Sequence, residues 1–179
     1  MKFLGHIVGR DGLKVDDKKV AVVRDWPVPT NRKTLRSFLG LANYFRRFIQ
    51  GYSSLVAPLT ALTGEKTVWH WCDRCQAAFE GVKLALITAP VLALPDMTKS
   101  FEVWSDASIY GTGAVLLQEN RPIAYLSHRF SSAETNYTTT DQEALGVIRA
   151  LQEWRCYLQG APDVLVVTDH QPLTHHPPQ

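Results

Sequence analysis

The apolar residues of this chain change sharply from helical to strand period near residue 99, and that change limits the fold more than any other feature. Beyond it, residues 101–106, 113–118 and 123–126 alternate as three strands joined by short turns bearing Gly, Asn and Pro. A long helix should follow over 140–158, with Val147, Ala150, Leu151, Trp154 and Leu158 as its core stripe. Residues 164–168 then read as a buried-type strand. The order β-β-β-α-β predicts an α+β fold. Its hairpins pair antiparallel, and the helix returns the last strand parallel to the first in one mixed sheet.

The front of the chain reads as helical after a small hairpin, 3–8 and 13–15, turned at Asp11-Gly12. Asp16 or Asp17 can cap a short helix running toward Trp26, which Pro27-Val-Pro29 stops. Thr30 is the expected cap of the next helix, which should run to about Gln50 before Gly51. Its packed stripe is Leu35, Phe38, Leu39, Ala42, Phe45 and Ile49, with Arg32, Arg36, Asn43, Arg47 and Gln50 on the other side. A further helix is expected over 55–62 after a turn at 52–54, with Pro58 in its first turn. Residues 69–75 read as a loop leading into a helix over 76–88.

Charge divides the same way. Residues 1–60 carry 11 Lys and Arg against 4 Asp and Glu, whereas 61–179 carry 8 against 13. A basic front suits phosphate attraction, and an acidic rear suits a cation or a partner. With 45% hydrophobic residues the chain can bury a core, which excludes low-complexity disorder. No stretch approaches the roughly 20 apolar residues of a membrane span. The first residues lack a secretory leader, so the expected location is intracellular, cytoplasm or nucleus. Three cysteines make no disulfide framework. Cys72-Asp-Arg-Cys75 near His70 has no second ligand pair to complete a zinc tetrahedron and reads as structural. Trp69, Trp71 and Trp104 read as packing aromatics before base-stacking ones.

Asp106 ends the first strand of the rear half, Glu143 opens its helix, and Asp169 follows its last strand. If the first and last strands are parallel, both aspartates meet at one end of the sheet. Glu143 lies in line with Val147, Ala150 and Trp154, so its side chain should point at the sheet. Three clustered carboxylates repel unless protonated or neutralised by a cation, and hard oxygen ligands suit Mg²⁺ or Mn²⁺. Paired ions of that kind serve phosphodiester hydrolysis. Glu143 can alternatively complete a capping box with Thr140.

Nearly the whole chain resembles a part of the Pol polyprotein of Ty3/gypsy-type LTR retrotransposons, from the end of reverse transcriptase into its ribonuclease H-like domain. The resemblance is carried by Phe3-Leu-Gly-His6, Trp26-Pro-Val-Pro29 and Leu35-Arg-Ser-Phe-Leu-Gly-Leu-Ala-Asn-Tyr44. It continues through Arg46-Arg-Phe-Ile49, Ala89-Pro-Val-Leu92, Ser105-Asp-Ala-Ser108, Asn136-Tyr-Thr-Thr-Thr-Asp-Gln-Glu143 and Val167-Thr-Asp-His170. It implies a primer-grip-like hairpin and helical thumb over 1–62, a connecting segment over 63–98, and a truncated ribonuclease H-like domain over 99–179. It also implies that Asp106, Glu143 and Asp169 are catalytic metal ligands, with Asp106 bridging the ions.

The same resemblance sets Arg36, Asn43, Arg46, Arg47, His6, Ser127 and Arg129 against nucleic acid. The expected activity is hydrolysis of RNA in an RNA–DNA hybrid with Mg²⁺ or Mn²⁺. It should be weakened because the family uses a fourth acid beyond the ten residues that follow Asp169. The alternative is a non-catalytic relic that binds nucleic acid or associates with a polymerase. No polymerase activity is expected from this chain alone. Expected partners are an RNA–DNA hybrid or duplex, a full-length polymerase subunit, or a second copy joined through the strand at 164–168, an apolar edge open to pairing.

Overall fold

The computed structural model describes residues 1–3 and 5–168, and the chain divides into two compact units, one over Met1–Leu92 and one from Ala93 onward.

In the first unit, β1 (Lys2–Phe3), β2 (His6–Gly9) and β3 (Gly12–Val15) form an antiparallel sheet. The expected strand over 3–8 is thus two strands, divided by a turn at Gly5. Gly12 does more than turn the hairpin. Its φ is +133°, and a Cβ there would lie 2.1 Å from the carbonyl oxygen of Leu92. That clearance lets Leu13 and Leu92 exchange backbone hydrogen bonds of 2.7 and 2.8 Å.

Four helices complete the unit: α1 (Asp17–Arg24), α2 (Arg32–Tyr44), α3 (Tyr52–Ala61) and α4 (Asp73–Ile87). Asp16 caps α1, accepting from the Lys18 amide at 3.1 Å. Asn31, and not Thr30, caps α2. Its side chain accepts from the Thr34 amide at 3.0 Å while its own amide donates to Thr34 Oγ1. α2 also stops before Gln50. The Phe45 amide bonds to Ala42, and a 3₁₀ turn over Arg46–Phe48 follows, which brings Phe45, Phe48 and Ile49 all into the core.

Residues 52–54 belong to α3, so Pro58 falls inside the helix and not in its first turn. α4 begins three residues earlier than expected, with Cys72 at its cap. Phe79 on α4 meets Phe38 on α2 at 4.7 Å between ring centroids, and Trp26 packs on Phe38 at 5.9 Å. This aromatic stack is the centre of the first core.

The second unit is the expected mixed sheet. β4 (Phe101–Ser108), β5 (Gly111–Gln118) and β6 (Arg121–Arg129) form an antiparallel meander, and β7 (Val164–Thr168) pairs parallel to β4, giving the order β6-β5-β4-β7. Glu119 and Asn120 turn the second hairpin with φ of 52° and 59°. The long helix is two pieces, α5 (Thr139–Glu153) and α6 (Arg155–Leu158), broken at Trp154. α5 lies on β4 and β5. Phe101, Val103, Leu116, Ile123, Ala150 and Trp154 form the core between them.

Two expectations of burial fail. Trp104 is 47% exposed because it alternates to the face away from α5, and Leu165 and Val166 are exposed because β7 is an edge among the described residues.

Candidate active site

Strand alternation determines what the end of β4 presents. Phe101, Val103 and Ser105 are buried, whereas Trp104 and Asp106 are exposed. Asp106 pairs with Gly113 on β5, and Gly113 pairs with Ser127 on β6. These three residues therefore form one row across the sheet. A Cβ on Gly113 would meet nothing within 4 Å, so the space between Asp106 and Ser127 is open. Arg129 lies two residues farther along β6, opposite Gly111.

Glu143 reaches the same strand end from α5. It is only 4% exposed, and its Oε1 accepts from the Ala107 amide at 3.1 Å. A buried carboxylate costs free energy unless it is hydrogen-bonded or faces positive charge, so its placement here is a constraint on the fold. The capping-box alternative fails. The cap of α5 is Thr138, whose Oγ1 accepts from the Asp141 amide at 3.2 Å, and Thr140 lies inside the helix.

The approach of α5 to the sheet depends on Gly146, one turn after Glu143. A Cβ at Gly146 would lie 2.8 Å from Ser105 Oγ and 3.1 Å from Thr112 Cβ and Cγ2. Glycine here sets the helix close to β4 and β5. The sequence signal was a glycine on the packed stripe of a helix, and its meaning depends on the sheet partners.

Asp169 lies outside the described residues. Thr168, the last described one before it, is in the same β4–β7 ladder that pairs it with Ser105, next to Asp106. Among the described residues no three His, Cys, Asp or Glu side chains gather as an ion-holding group. The structure thus brings the backbone beside Asp106 to Glu143.

A second cluster, unanticipated from sequence, braces this end. Glu134 accepts from the Ser131 amide at 2.7 Å and from Arg149 Nη2 at 2.6 Å, with His128 Nε2 at 3.3 Å. The Ser131 hydrogen bonds, then Arg149, hold its carboxyl down to a pKa of about 2.

The residues of the first unit expected to touch nucleic acid occupy three settings. Asn43 and Arg46 are exposed. Arg36, also exposed, donates from Nη2 to the Thr63 carbonyl at 2.7 Å. His6 is half-buried, stacked on Tyr44 at 5.3 Å and on Phe48 at 5.6 Å, with Phe45 edge-on. Burial, then the charge of half-buried Arg47, lowers its pKa. Among the described residues no helix is long and apolar enough to cross a membrane.

Residues 71–166 match the family model described as the RNase H-like domain found in reverse transcriptase. The retrovirus-related Pol polyprotein from transposon opus of Drosophila melanogaster is 40% identical over 97% of this chain. That from transposon gypsy of the same organism is 37% identical, and the Tf2-3 polyprotein of Schizosaccharomyces pombe is 36% identical, each over 97% of the chain. The chain spans 19%, 18% and 13% of those three polyproteins.

Among solved structures, the foamy viral protease-reverse transcriptase dRH in complex with double-stranded DNA matches with a TM-score of 0.85 at 26% identity. The match covers 99% of this chain and 32% of that one. The foamy viral protease-reverse transcriptase in complex with an RNA/DNA hybrid matches at 0.84 and 25% identity, covering 97% and 24%. With its β-β-β-α-β sheet and these relatives, the chain belongs to the RNase H-like domains found in reverse transcriptase, in the lineage of retrotransposon Pol polyproteins.

Proposed function

We propose that this chain grips an RNA–DNA hybrid and hydrolyses phosphodiester bonds of its RNA strand, with Asp106, Glu143 and Asp169 as the catalytic acids. One observation carries the reading: Glu143 is buried and held by the amide next to Asp106, at an open strand end. The described donors there are carboxylate oxygens, which fit a hard divalent cation, Mg²⁺ or Mn²⁺. When bound, such an ion supplies a water of lowered pKa and neutralises charge on the phosphate. Ala107 fixes the Glu143 carboxylate, and Gly146 keeps α5 close enough for that contact. Asp106 and Ser127 face the same open row, available to an approaching strand.

Arg36, Asn43, Arg46, Arg47, His6 and Arg129 are proposed to contact the nucleic-acid backbone, consistent with the basic front of the sequence. Similarity to foamy viral protease-reverse transcriptases solved in complex with double-stranded DNA and with an RNA/DNA hybrid supports that partner.

The test is a labelled RNA–DNA hybrid incubated with the chain and Mg²⁺ or Mn²⁺, beside Asp106→Asn and Glu143→Gln. Cleavage abolished by both substitutions supports the proposal. Cleavage that survives both refutes the assigned acids, and salt-sensitive binding without cleavage replaces the proposal with the binding-only alternative.

A further inference from the structure

Cys72 and Cys75 sit at the start of α4, a helix of 15 residues, with their sulfurs 3.5 Å apart. Both are free thiols, Cys72 half-buried and Cys75 buried, while Cys156 is exposed elsewhere. We infer that Cys72 and Cys75 form a reversible internal disulfide, with a low-molecular-weight disulfide such as oxidised glutathione as the oxidant. The proposal does not depend on the nuclease reading.

Geometry assigns the two thiols different tasks. Cys72 occupies the cap of α4, where helix amides converge, and is the more accessible sulfur. Hydrogen bonding from Cys75, backbone first, lowers the pKa of Cys72, while burial raises that of Cys75. The Cys72 thiolate attacks one sulfur of the oxidant, forming a mixed disulfide and releasing one thiolate. Cys75 then loses its proton to water, and its thiolate attacks Cys72 Sγ and expels the second thiolate. The net change is one disulfide reduced to two thiols and one dithiol oxidised. Closing the bond requires the sulfurs to approach from 3.5 Å to about 2.05 Å, within one helical turn.

Oxidation also removes the Cys75 S–H, which faces the Pro58 carbonyl of α3 at 3.9 Å. Trp71 lies beside the pair. It donates to Gln76 at 2.8 Å and packs edge-on against Phe79, so its fluorescence should report the change.

The experiment uses the full chain with Cys156→Ser, equilibrated in glutathione buffers of stepped ratio, acid-quenched, alkylated and weighed by mass spectrometry. A monomer lighter by two hydrogens and resistant to alkylation, rising with oxidised glutathione and reversed by dithiothreitol, is expected. With Cys156→Ser kept and the fold intact, adding Cys75→Ala should leave one glutathione accumulating on Cys72, and in Cys156→Ser alone Cys72 should alkylate on the order of tenfold faster than Cys75. Full alkylation of both cysteines at every ratio, or stable double glutathionylation, overturns the inference. Should Cys75→Ala fail to fold, the mass of the Cys156→Ser protein decides alone.

Discussion

Replacing Gly146 with alanine sets two effects against each other. In a helix interior alanine is favoured over glycine by about 0.8–1.0 kcal/mol. Against this, the new methyl would meet Ser105 Oγ at 2.8 Å and Thr112 Cβ and Cγ2 at 3.1 Å, where carbon contacts settle at roughly 3.5–4.0 Å. Ser105 can rotate its hydroxyl, but Thr112 is β-branched and fixed in β5, so α5 must lift by a few tenths of an ångström. Overpacking of this kind costs about 1–3 kcal/mol.

The contact therefore wins, and Gly146→Ala should destabilise the second unit by about 0–2 kcal/mol. Gly40→Ala is the control. Gly40 is also helical and exposed, and its Cβ would meet nothing within 4 Å, so that substitution should stabilise α2 by about 0.8–1.0 kcal/mol. Urea unfolding combined with hydrogen-exchange mass spectrometry, which reads α5 and α2 amides separately, checks both. If Gly146→Ala slows exchange in α5 and raises its midpoint as Gly40→Ala does for α2, the close approach is not what fixes the helix.

Because the Glu134 carboxyl titrates near 2, below its ordinary value of 4.5, its stabilising contribution is complete above about pH 4.5 and is lost as pH falls toward 2. Melting temperature followed over that window should fall less steeply for Glu134→Gln than for the parent; parallel curves would refute the assignment. Self-association through β7 should be concentration-dependent in size-exclusion chromatography and suppressed by Leu165→Lys, since Leu165 is exposed on that strand. A parent chain that stays monomeric at high concentration rules it out.

The rear half is readable because its strands alternate and its turns carry Gly, Asn and Pro, signals that act over a few residues. Glu143 was placed correctly by helical phase, since residues four and seven apart share a face. Caps were less legible. Thr138, Thr139 and Thr140 each offer a hydroxyl, and burial of Glu143 accompanies the choice of Thr138. Asn31 outcompeted Thr30 through its reciprocal bonds with Thr34, a contest between neighbours that composition does not rank. Pro58 locally prefers a first turn, yet α3 runs continuously through it and packs on α4. The roles of Ala107 and Gly146 are tertiary and have no one-dimensional signature.

The pairing of β4 with β7 gives the second unit an order of assembly. β4, β5 and β6 are successive hairpins and can zip together as soon as they leave the ribosome, whereas β7 joins only after α5 and α6 have been made. At a synthesis rate of roughly 5–20 residues per second, one flank of the central strand stays open for seconds. A nascent chain is therefore most vulnerable to wrong partners in the interval before residues 164–168 emerge, and the apolar sequence of β7 is what closes it.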